Sequence, residues 1–169
     1  MFNKPAAHSL HETSNTREAF MILQLPAILV LGLMCGSELN VAVFVHPTLN
    51  RQPSEVHTLL RSSLARLFGK VMPFWMTGSA LLKATLLLPF EHLDKVAWRL
   101  SAVAFAMQVF AVLFSLVAPV PINNRISKWT PESLPGDWRA QEHRWDVYHW
   151  LRTFGLIGAF AILVLSVGV

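Results

Sequence analysis

From Phe20 to Val45 the chain runs for 26 residues with a single charged side chain, Glu38. A helix needs about 20 apolar residues to cross the hydrocarbon core of a bilayer, so this block is long enough to span with some tilt. Three more blocks follow: Val71 to Leu88, interrupted only by Lys83; Leu100 to Val120, with no charge; and Thr153 to Val169, 17 residues. Each is continuously apolar, whereas the strands of a membrane barrel alternate over about ten residues. The spans are therefore read as helices, whose backbone groups are satisfied within the segment. The prediction is an all-α, integral membrane four-helix bundle forming a single membrane domain over residues 1–169. Its spans lie at about 20–45, 71–88, 100–120 and 147–169, with both termini on one side.

Composition supports the bilayer as partner. Only 14% of residues are charged, against roughly a quarter in soluble domains. The net charge of +4 does not point to nucleic acid, because the 14 basic residues are dispersed over loops and helix ends without a basic, aromatic-interleaved patch. The connections after spans one and three carry Arg51, Arg61, Arg66, Lys70, Arg125, Lys128, Arg139 and Arg144, which predicts them to be cytoplasmic. The single cysteine, Cys35, excludes an internal disulfide and a cysteine-based zinc site. Met34 stands before it where a lipoprotein signal needs a small residue, and Glu12 and Glu18 lie in the polar stretch before span one. No cleaved signal peptide is read there.

Local signals place the connections. Ser54 is expected to cap a helix whose apolar positions Val56, Leu59, Leu60, Leu64 and Leu67 recur at helical spacing. The tight link from Pro89 to Lys95 makes spans two and three antiparallel neighbours. Lys83 is expected to snorkel toward that end. Pro119 and Pro121 end span three, and Thr130-Pro131-Glu132 starts a short helix with proline first. Asp137 caps a last helix running from Trp138 to Val169, about 48 Å long, whose first turns project from the membrane. Gly78, Ser79, Ala80 and Ala84 give span two a small-residue face for packing, within the monomer or in a homo-oligomer.

Polar residues in or beside spans carry the functional information, because burial in lipid disfavours them by a few kcal/mol unless compensated. Glu38 lies within span one, near Asn40 and His46; it is either a protonated acid bonded to another helix or part of a site. In the last helix Glu142, Asp146, His149 and Thr153 form one stripe, and Trp138, Trp145, His149, Arg152 and Leu156 an overlapping one, with His149 in both. Asp146 and His149, three apart, have the spacing by which bundle helices present carboxylate and imidazole to a metal, or by which an acid orients an imidazole. Trp138, Trp145, Tyr148 and Trp150 with Arg144 and Arg152 can alternatively form an interfacial belt. Asn123-Asn124 after Pro121 reads as a turn, or as an amide pair beside Arg125 that binds a polar ligand.

Pro121-Ile122-Asn123-Asn124-Arg125-Ile126 after the third span, followed by Trp138, Arg144-Trp145 and His149-x-x-Arg152-Thr153, resembles the anthrone oxygenase-like family of small four-span membrane proteins. The resemblance implies a monooxygenase, since fungal members oxidise polyketide anthrones to anthraquinones without an obvious organic cofactor. Asn123, Asn124, Trp145, His149 and Arg152 match the family pattern; Glu38 and His46 are added from burial and position. Substrate and co-substrate would be a planar phenolic or anthrone-like molecule and dioxygen. On this reading His149 is the general base oriented by Asp146, and Arg152 stabilises the enolate. Trp145 stacks on the rings, while Asn123 or Asn124, and Glu38, contact the substrate. Two alternatives stand beside it. One is a copper or iron oxidoreductase with donors drawn from His46, Glu38, His149, Asp146, Glu142 and His143. The other is a non-enzymatic membrane subunit or small-molecule carrier.

Overall fold

Four long helices account for the bulk of the chain, whose computed structural model describes residues 5–88 and 95–168. Helix α1 spans Pro5–Asn40 and continues through a π-helical turn, Val41–Val45, into the short α2, His46–Leu49. A four-residue turn leads to α3, Ser54–Ala84, closed by a 3-10 turn at Thr85–Leu87. Then come α4, Lys95–Val117; α5, Pro119–Ile126; a 3-10 turn at Pro131–Ser133; and α6, Trp138–Leu165. No strand occurs among the described residues. The link expected between Pro89 and Lys95 lies outside them up to residue 94.

The bundle closes in chain order. Helices α1 and α3, α3 and α4, α4 and α6, and α6 and α1 pack as neighbours, and α5 lies against α3, α4 and α6. The seam of α4 explains how closely it approaches α6. Its buried residues are Ala97, Ser101, Ala104, Gln108, Ala111 and Ser115, all but Gln108 small, at alternating intervals of four and three that let two backbones come together where lipid offers no hydrophobic drive. Polar groups tie the helices at depth: Gln24 Nε2 donates to Ser166 Oγ at 2.6 Å, Gln108 Nε2 to the Met76 carbonyl at 3.0 Å, and Trp75 Nε1 to the Val30 carbonyl at 3.3 Å. Between them sits an apolar core that includes Leu31, Met34, Leu86, Leu156 and Leu163.

Among the described residues three helices are long and apolar enough to cross a membrane: Phe20–Leu49, Lys95–Val117 and Trp138–Leu165. Helix α3 is not one of them, because its first half carries Glu55, His57, Arg61, Arg66 and Lys70. It nevertheless completes the bundle, and it does so inside out. The predicted stripe of Val56, Leu59, Leu60 and Leu67 is exposed, while His57, Thr58, Arg61, Ser62 and Ala65 are buried. A helix that turns these apolar residues outward and His57 and Arg61 inward suits an apolar surround and a polar interior, while Arg66 and Lys70 stay exposed. Arg61, counted among the loop cations from sequence, is therefore an interior residue.

Several local expectations change with the structure. Ser54 begins α3 without capping it, and Asp137 holds the N-cap position of α6 while its carboxylate accepts from Gln141 Nε2 at 2.9 Å. Asn123 and Asn124 lie inside α5 and form no turn. The prolines do end α4, and Thr130 and Ser133 form a capping box around the Pro131 turn. On the small-residue face Ser79 is buried, but a Cβ on Gly78 would meet nothing within 4 Å. Lys83 does not snorkel: it is 1% exposed and its Nζ has no hydrogen-bond partner among the described residues. A buried ammonium in a bilayer costs about 2.5–3.5 kcal/mol on insertion scales, so Lys83→Met is expected to raise stability by roughly that amount. Unfolding in mixed micelles with a denaturing detergent measures it; an unchanged midpoint would show that Lys83 has a compensating partner.

Candidate functional site

The π turn positions the first two site residues. Pro47 has no N–H, so the Val43 carbonyl lacks its α-type partner, and the His46 N–H reaches back to the Val41 carbonyl in π register. In an uninterrupted α-helix, His46 would sit roughly 80° round from Glu38, since eight residues turn about 800°. The wider π turn takes up most of that offset, and both side chains are buried on the interior of the bundle. Helix α6 supplies Glu142, Trp145, His149 and Arg152 from one buried face, and α3 supplies His57 and Arg61.

These residues form two joined polar groups. In the inner one Arg152 Nη2 donates to Glu38 Oε2 at 2.5 Å and to His149 Nδ1 at 3.1 Å, while His149 Nε2 donates to the Glu38 carbonyl at 3.0 Å. His149 Nδ1 is also 3.2 Å from Glu38 Oε2. This pattern assigns the proton of a neutral His149 to Nε2 and leaves Nδ1 beside carboxylate and guanidinium. Glu38 Oε1 and Arg152 Nε are buried with no partner among the described residues.

In the outer group, His46 Nδ1 donates to Asp146 Oδ1 at 2.8 Å and its Nε2 accepts from Arg61 Nη1. Arg61 also reaches Asp146 Oδ1 and Glu142 Oε1, at 3.4 and 3.5 Å. His57 donates from Nδ1 to the Leu49 carbonyl at 2.9 Å and places Nε2 2.7 Å from Glu142 Oε1, so a proton lies between ring and carboxylate. Trp145 joins the groups. Its indole stacks on His149 with centroids 4.6 Å apart, lies 4.7 Å from the His46 ring, and has the Arg61 guanidinium 4.5 Å over it.

One expectation about roles is corrected by the hydrogen bonds. Asp146 does not orient His149, because its carboxylate is engaged by His46 and Arg61; the Glu38 carbonyl and Arg152 hold the His149 ring instead. Trp145 is engaged within the protein, by His149 and Arg61, and it also borders a cavity. A copper or iron centre does not fit the donors present. The guanidinium groups of Arg61 and Arg152 are bonded to His46 Nε2, His149 Nδ1 and Glu38 Oε2, which puts two cations on the lone pairs that a metal would need. Among the described residues no group of three or more His, Cys, Asp or Glu side chains is placed to hold a metal ion.

A mostly apolar cavity of about 130 Å³ opens beside the inner group, between α3, α4, α5 and α6. Its polar wall is formed by Ser115, Asn123, Asn124, Trp145 and Arg152, and Phe68, Met72, Met76 and Val112 contribute to the rest. Asn123 is held in place by donating from Nδ2 to the Ala65 carbonyl at 2.9 Å. Gly69 makes the room, because a Cβ there would stand 3.1 Å from Asn123 Nδ2. On the other side of Arg152 an apolar groove of about 610 Å³ runs between α4 and α6, along Met107, Phe110, Phe114, Leu151 and Gly155. Arg152 thus lies on the wall of both, the cation where groove and cavity meet.

A family model described as anthrone oxygenase matches residues 63–162, more than half of the chain. The chain belongs to the anthrone oxygenase family. That stretch of the family member contains Asn123, Asn124, Trp145, Asp146, His149 and Arg152, and the membership supports an oxygenase-like role. No curated protein and no solved structure matches the chain. Of the residues that sequence reasoning named, the anthrone oxygenase fold brings Asn123, Asn124, Trp145 and Arg152 to one cavity, and Glu38 and His149 directly behind it. It separates His46 and Asp146 into the outer group. His57 and Arg61 went unnamed as site residues, although both lie on the face of α3 opposite its leucine stripe.

Proposed function

We propose that this protein is a membrane-embedded oxygenase of planar phenolic or anthrone-like substrates, working by base-initiated reaction with dioxygen. The observation that carries the reading is the placement of Arg152 on the wall of an apolar cavity, backed by a buried carboxylate and imidazole. An anthrone has an acidic methylene between two aromatic rings, and its anion is electron-rich enough to donate an electron to dioxygen. The substrate's carbonyl oxygen takes the place of Glu38 on Arg152, so the guanidinium meets the negative charge as it develops. The freed Glu38 carboxylate, paired with His149, receives the methylene proton. Asn123 and Asn124 offer amide groups to the substrate's other oxygens, and the apolar wall favours a flat molecule and dissolved oxygen alike.

The atoms balance without a further reductant. The carbanion and dioxygen combine to a peroxide anion, the proton returns to it, and the hydroperoxide loses water to leave the quinone carbonyl. Methylene plus dioxygen gives carbonyl plus one water. The protein in lipid nanodiscs is expected to convert anthrone to anthraquinone with one dioxygen consumed per product, above the rate without protein. Saturable anthrone binding with no oxygen uptake would instead support the carrier reading.

A further inference from the structure

On the side away from the apolar cavity, two further cavities lie between the inner polar group and the start of α6. The first, about 120 Å³, is lined by Ala42, His46, Pro47, Asn50, Asp146, His149 and Trp150. The second, about 250 Å³, is the outer cleft bordered by Gln52, Ser54, His57, Trp138 and Glu142. Asn50 and Asp146 lie on the walls of both, and Asp146 is the one ionisable residue that they share among the described residues. Its side chain is 30% exposed, whereas that of Glu38 is 1% exposed. The bonds from His46 and Arg61 both fall on Oδ1 of Asp146, and Oδ2 takes none from the described residues. The smaller cavity has polar walls and room for several waters at about 30 Å³ each.

We infer that Asp146 carries the substrate's proton between the His149 cavity and the outer cleft. The inference rests on the oxygenase reading above. Deprotonation there has a kinetic difficulty: a proton left on Glu38 or His149 stands beside the carbanion and returns to it before dilute dioxygen arrives. Passing the proton from the Glu38–His149 pair through the cavity to Asp146 Oδ2 separates it from the carbanion. The same route brings a proton back to the peroxide, so no net proton is released per turnover. Arg61 and His46 anchor Asp146 without covering Oδ2, the His57–Glu142 pair borders the cleft beyond, and Arg152 stays with the substrate oxygen.

The test is internal return under anaerobic conditions. In D2O, nanodisc-embedded wild type is expected to place solvent deuterium into the anthrone methylene above the protein-free rate. Asp146→Asn is expected to lower that exchange at least about tenfold, as loss of a positioned proton carrier does, while Asp146→Glu retains it. Formate added to Asp146→Gly is expected to restore exchange, which a purely structural carboxylate would not allow. Wild-type exchange in Asp146→Asn would overturn the inference. A second measurement needs no substrate: exchange of the His149 ring N–H with D2O, read by NMR on isotope-labelled histidine, is expected to slow in Asp146→Asn. An equal rate in both proteins overturns the proton path whatever the substrate. Asp146-dependent ring exchange with no anthrone turnover by wild type would overturn the oxygenase reading alone.

Discussion

Arg152→Met is expected to destabilise the protein by about 3–5 kcal/mol, the usual cost of removing one partner of a buried ion pair. Glu38 is 1% exposed and its Oε2 sits 2.5 Å from the guanidinium. Methionine fills the volume but leaves the carboxylate with only the His149 ring beside it. The double variant Glu38→Gln with Arg152→Met removes the stranded charge and is expected to recover most of that loss, because an apolar or neutral replacement of both partners is often tolerated. Unfolding in mixed micelles reads the coupling as the departure of the double variant from the sum of the singles. Turnover separates stability from chemistry. Both single variants and the double variant are expected to lose anthrone oxidation to near the protein-free rate, since each lacks the cation, the carboxylate or both. Recovery of activity along with stability in the double variant would show the pair to be structural only.

His149→Gln is expected to lower turnover by about 10²–10⁴-fold, the contribution of a positioned acid or base, with a small effect on stability. A glutamine amide can still donate to the Glu38 carbonyl, as His149 Nε2 does at 3.0 Å, and can fill much of the space against Trp145. It has no ring nitrogen to share the substrate's proton with Glu38. Arg152 and the cavity wall remain, so the Kd for anthrone is expected to change little while kcat falls. A folded His149→Gln protein with wild-type kcat would remove the imidazole from the mechanism and leave Glu38 as the sole proton acceptor.

The extent to which the site was legible before folding differs between its halves. Glu38 announced itself, because one carboxylate in 26 otherwise uncharged residues has no ordinary explanation in a bilayer. His149 and Arg152 were visible through the periodicity of α6, and Asn123 and Asn124 through their motif. His57 and Arg61 were not, because an apolar stripe at helical spacing is read as a core face, and the same stripe is exposed here. Periodicity reports that a helix has two faces; the solvent decides which is buried. The role of Asp146 was hidden for another reason. Its spacing to His149 along α6 suggested a pair, but His46 reaches it from the end of the first span, 100 positions away in sequence.

What the sequence determined by itself is that the chain carries long apolar segments, that they are helical and that charge is rare within them. Those follow from a one-dimensional requirement, that each segment satisfy its own backbone in a medium without water. The partners of the few charges were decided only in three dimensions. Glu38 meets Arg152 because α1 packs against α6, and Asp146 meets His46 and Arg61 because a π turn rephases the end of α1 and α3 turns Arg61 inward. Buried charge is stable only with a counter-charge in contact, and contact between segments so distant in sequence is a property of the packed bundle.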